Sequence, residues 1–246
     1  MIKLKKTILI ASFLYLSTYA SVAFGYCDDA RSEALGKKSQ SLNALNQNLV
    51  SCKKNPVKNE TFFVFGHKNP NADNEGFYAV DADILVVDDV NNNVISHAFF
   101  PHLWRDEDTN TLRYLTIDTA KYIIAKDQRA FGVIAEYEGA SRADPSGERS
   151  LALFIRLQNN IKIILKNMKT FNYGGEWDTN CAGNFSEVKK TLVMAQTTSN
   201  GFFDIQIMEI ATQSKNKKTK NDCKRIVLKS SENSYFIKFN GDVYAQ

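Results

Sequence analysis

Between residues 61 and 240 side-chain character alternates almost every second residue, and the alternation breaks at Asn, Gly, Asp and Pro. A period of two puts successive side chains on opposite faces of an extended backbone. It favours strands over amphipathic helices, whose apolar residues recur every three or four positions. Candidate strands are TFFVFG, GFYAVDADILVVDD, NVISHAFF, TLRYLTID, RAFGVIAEYEG, RSLALFIRL, IKIILKNM, SEVKKTLVMAQT, FFDIQIMEIATQ, KRIVLKS and SYFIKFN. They are rich in the β-branched and aromatic residues that suit a pleated, half-buried surface. DDVNNNV, LQNNIK and TTSNGFFD read as hairpin turns, because Asn and Gly tolerate the positive φ of tight turns. Strands joined mostly by short turns predict an all-β antiparallel meander: a barrel, a two-sheet sandwich or an incomplete propeller.

The chain starts differently. Lys3, Lys5 and Lys6 precede an apolar run too short to span a bilayer, and Ala23-Phe24-Gly25 forms a small-x-small site. Residues 1–25 therefore read as a secretory signal peptide, with no integral membrane segment after cleavage and a periplasmic or secreted destination. Residues 26–56 are polar and space Leu42, Leu45 and Leu49 at helical intervals, which predicts a short helical segment tied by a disulfide. Residues 57–246 are expected to form a single β domain.

Removing residues 1–25 takes the formal net charge from +4 to +1, so nucleic-acid binding has no global electrostatic support. The charge is nonetheless bipolar: residues 73–148 hold 15 acidic and 6 basic residues, residues 149–229 hold 6 and 14. The simpler consequence is that the two halves face each other. Four cysteines in an exported chain imply disulfides, and closeness in sequence favours Cys27–Cys52 and Cys181–Cys223. The histidines lie apart from them and no C-x-x-C occurs, so zinc is not expected.

Three stretches carry candidate chemistry. HAFFPHLWRDED reads as a long loop bringing together His97, His102, Trp104 and Arg105, residue types that make binding hot spots. FNYGGEWDTNCAG holds Glu176 and Asp178 around Trp177, a carboxylate pair able in principle to hydrolyse a glycan. Cys181 and the glycines equally suit a corner stapled by a disulfide, with Trp177 covering it. NPNADNEGFYAVDAD spaces Asn71, Asp73 and Glu75 like a calcium loop, but Ala82 stands where the bidentate Glu belongs, so tight calcium binding is not expected. No nucleophile, nucleotide or cofactor motif is present.

TTSNGFFDIQI is similar to one unit of the FG-GAP, integrin-type repeat, in which an N/D-G-x-x-D-L/I turn enters a strand. The likeness covers about a dozen residues, lacks the repeat's aspartate-rich calcium run and does not recur along the chain. It implies kinship with exported proteins that inhibit cell-wall lysozymes. The expectation is a non-catalytic exported protein that binds another protein or an envelope component, as an inhibitor or immunity protein does. An envelope glycan hydrolase using Glu176 and Asp178 is the alternative.

Overall fold

The computed structural model describes residues 29–38, 49–69, 78–106, 109–220 and 222–246. Among the described residues one helix, α1 (Asp29–Lys38), precedes a four-stranded antiparallel sheet. That sheet is β1 (Val50–Lys54), β2 (Glu60–Asn69), β3 (Ala79–Asp88) and β4 (Val94–Arg105), paired in chain order. The second sheet has eight strands, also in chain order. Its first half is β5 (Asn110–Ala125), β6 (Gln128–Gly139), β7 (Ser146–Leu157) and β8 (Asn160–Trp177). Its second half is β9 (Gly183–Ser199), β10 (Phe202–Lys218), β11 (Cys223–Phe239) and β12 (Tyr244–Ala245). The architecture is thus an all-β meander, and neither sheet closes into a barrel among the described residues.

Three apolar clusters explain the sequence pattern. The first lies between the sheets: Phe62, Val64, Ile84 and Val86 meet Ile117, Val133 and Phe154. The second lies on the other face of the large sheet, where Leu151, Leu153 and Ile155 meet Ile205, Ile207 and Ile237. Strands five places apart can share a cluster only because the large sheet curls back on itself, bringing β10 across β5. The β7 run LALFI, residues 151–155, is therefore apolar at every position: Ala152 and Phe154 enter one core, Leu151 and Leu153 the other. On β2, Phe63 and Phe65 point away from the first core and are covered with Leu35 of α1 in the third cluster. Arg31 anchors that helix through Asp89, at 2.9 Å, and lies over the Phe63 ring.

The expected turns are present. Asn200 and Gly201 take φ of 49° and 85° between β9 and β10, and Gln158 takes 54° between β7 and β8. Three expectations need correction. Residues 97–105 are not a loop, because β4 runs through Pro101 to Arg105. KRIVLKS and SYFIKFN are one continuous strand, β11, which carries a bulge opposite Gln213 and Ser214. Cys52 belongs to a strand, β1, rather than to a helical segment. Leu42 and Leu45 fall outside the described residues.

Cys181 and Cys223 are bonded, with Cα atoms 5.6 Å apart, tying the β8–β9 turn to the start of β11. Cys52 is also disulfide-bonded, and its expected partner Cys27 lies outside the described residues. The charge halves do meet on adjacent strands, through Arg149 with Glu136 at 3.0 Å and Lys169 with Glu148 at 2.7 Å.

Candidate binding surface

The residues expected to form a binding loop sit on the edge strand β4 and separate by face. Trp104 is 1% exposed and belongs to the core between the sheets. His97 lies on the opposite face, where its Nε2 is 2.7 Å from Oδ1 of Asp83 on β3. Asp83 is buried, and His67 of β2 stands 3.5 Å from its other oxygen, in electrostatic contact but outside hydrogen-bond geometry. His102, at φ 50°, donates its backbone N–H to Asp81 at 2.8 Å. Arg105 ends the strand, exposed. All three histidines thus gather around the buried Asp83 and the half-buried Asp81. Among the described residues no group of His, Cys, Asp or Glu is arranged to hold a metal ion. Of the calcium-like stretch, residues 70–77, with Asn71, Asp73 and Glu75, lie outside the described residues.

Asp106, in the same stretch, is buried. It accepts from the Leu112 N–H at 2.8 Å and from Lys68 at 3.3 Å, joining the two sheets.

At the far end of the large sheet, Glu176, Trp177 and Asp178 line a shallow, open depression with Asp144. Asp178 caps the turn that follows: its Oδ1 accepts from the Asn180 N–H at 2.9 Å and the Cys181 N–H at 2.7 Å. Those two bonds hold its carboxyl below the usual aspartate range. Trp177 is half-buried, and its backbone N–H donates to Ala143.

One surface is absent from any motif in the sequence. Strands β8 to β11 run for 17 or 18 residues, about 55 Å at roughly 3.3 Å per residue, well past the curled core. Directly paired residues project from the same face of an antiparallel sheet. Val193, Gln206 and Phe236 form one such row, Thr191, Met208 and Ser234 the next, and Lys189, Ile210 and Glu232 a third. Tyr173 and Val227 lie on the same face two and four residues further along. Phe236 is 52% exposed, Val227 59%, Met208 49%, Ile210 43%, Val193 39% and Tyr173 37%. The opposite face supplies Ile205, Ile207 and Ile237 to the second core. A soluble sheet usually puts its apolar residues on the core side alone, so this face is the anomaly.

The same face carries charges of both signs. Arg225 and Glu187 approach at 3.6 Å, and Arg149 stacks over Phe171 at 5.5 Å, next to Tyr173. Among the described residues only Lys238 and Phe239 of β11 pair with β12, which leaves most of β11 as an edge, guarded by Lys224, Arg225, Lys229 and Glu232. Met, Tyr, Phe and Arg within a polar rim are the composition of a protein-binding patch. Among the described residues no helix is long and apolar enough to cross a membrane.

No protein-family model, no curated protein and no solved structure matches this chain.

Proposed function

We propose that this is an exported protein that acts by binding another protein through the outer face of β8–β11, as an inhibitor or immunity protein directed at a cell-envelope effector. The observation that carries the reading is the set of six exposed apolar side chains on one face of a disulfide-stapled sheet, backed on the other face by Ile205, Ile207 and Ile237 of the core. Export is supported by the signal-like N-terminus and by the Cys181–Cys223 bond, which persists in oxidising compartments. The proposed partner contact therefore moves from His97, His102, Trp104 and Arg105 to the β8–β11 face. The test is capture from an envelope extract with the wild type and with Ile210→Asp/Phe236→Asp. Both positions are solvent-facing, so the variant keeps the fold and loses the partner.

A glycan hydrolase is the second reading, favoured by the open depression that both Glu176 and Asp178 line. Asp178, whose carboxyl its turn holds below the usual range, suits a nucleophile or base. Release of soluble fragments from purified cell-wall glycan, abolished by Glu176→Gln, would establish it.

A further inference from the structure

A second recess lies far from that face, where the β1–β2 turn, the β5–β6 hairpin and the end of β7 meet. It encloses about 460 Å³, within the range of small-molecule sites. Its floor is apolar: Phe62 and Phe131 stack there at 4.2 Å between centroids, beside Ile123 and Ala130. Its walls carry five cations against two carboxylates. One of those carboxylates is already neutralised, since Glu60 receives Arg156 Nη1 at 2.6 Å and the Asn55 amide at 3.2 Å.

Lys58, Lys121, Lys126 and Arg129 then face Asp127 alone. The ammonium groups of the three lysines have no hydrogen-bond or ion-pair partner among the described residues. Arg129 is half-buried and fixed, because its Nη2 donates to the Thr119 carbonyl at 2.6 Å and the Ala120 carbonyl at 3.2 Å. A rigid guanidinium and unpaired ammonium groups above an aromatic floor form a positive recess whose field an anion would relieve.

We propose that this cleft binds a small amphipathic organic anion, with its apolar body on Phe62 and Phe131 and its charged head at Lys121, Lys126 and Arg129. The site is separate from the β8–β11 face and does not depend on it.

The test titrates the full chain with 8-anilinonaphthalene-1-sulfonate and with its uncharged counterpart N-phenyl-1-naphthylamine. Expected is one saturable site for the sulfonate, with the uncharged probe binding at least about tenfold more weakly. Lys121→Glu/Lys126→Glu, which alters two exposed and unpaired side chains, should weaken the sulfonate about tenfold at unchanged melting temperature. Ile210→Asp/Phe236→Asp should leave the affinity unchanged. Displacement by laurate marks an acyl body for the ligand, and displacement by naphthoate alone marks a ring; each supports the site. The proposal is overturned by equal binding of the two probes, by no loss in the lysine variant, by loss in the β8–β11 variant instead, or by displacement with inorganic phosphate at the same concentration.

Discussion

Trp104 packs between the sheets at 1% exposure, so its contribution is to stability rather than to recognition. Trp104→Ala should cost about 3–5 kcal/mol in denaturant unfolding, in the range of large-to-small core substitutions. A change below about 1 kcal/mol would place the indole outside the core. Asp204, buried in the β9–β10 hairpin, receives the Thr197 hydroxyl at 2.7 Å. That bond, with a second from Ser199, holds its carboxyl below the usual aspartate value. A lowered folded value stabilises the fold above the unfolded pKa, about 3.9, and the contribution disappears as pH falls through the folded one. The melting gap between wild type and Asp204→Asn should therefore be widest near neutral pH and close in strong acid; a gap independent of pH would contradict this. Residue type alone misplaces Trp104, because an aromatic beside Arg and His looks the same in sequence whether it faces a partner or a second sheet.

At the scale of elements, strands with their own turn chemistry were legible and strands defined by their neighbours were not. Asn200-Gly201 announces the β9–β10 hairpin because both residues adopt positive φ. Pro101 reads as a break, yet β4 continues through it, since β4 is an edge strand and a missing N–H on the solvent side costs no ladder bond. SEN, residues 231–233, separates two candidate strands in the sequence, but the ladder to β10 supplies its backbone partners and its polar side chains lie in water. The Cys181–Cys223 pairing followed from spacing, and it closes a loop of 42 residues at the hairpin tips. Cys181→Ser/Cys223→Ser should lower stability by about 2–5 kcal/mol. Amide exchange should rise first near residues 176–184 and 216–225, and uniform exchange across β2 and β7 would show that the staple governs the whole fold instead.

For the molecule as a whole, the curl of the large sheet decides what is exposed. Where β10 crosses β5, one face of β8–β11 becomes core. On their outer face Met208, Ile210 and Phe236 stay uncovered. Alternation within a strand cannot reveal this, because the covering element is set by strands five places away. The cationic cleft was equally hidden, being assembled from three separate hairpin ends. The most direct measurement is side-by-side capture from an envelope extract by the wild type, by Ile210→Asp/Phe236→Asp and by Lys121→Glu/Lys126→Glu, with melting temperatures recorded for each. The expected result is a protein retained by the wild type and the lysine variant, and lost from the β8–β11 variant at an unchanged melting temperature. A partner held equally by all three, or none held by the wild type, would contradict binding through the β8–β11 face.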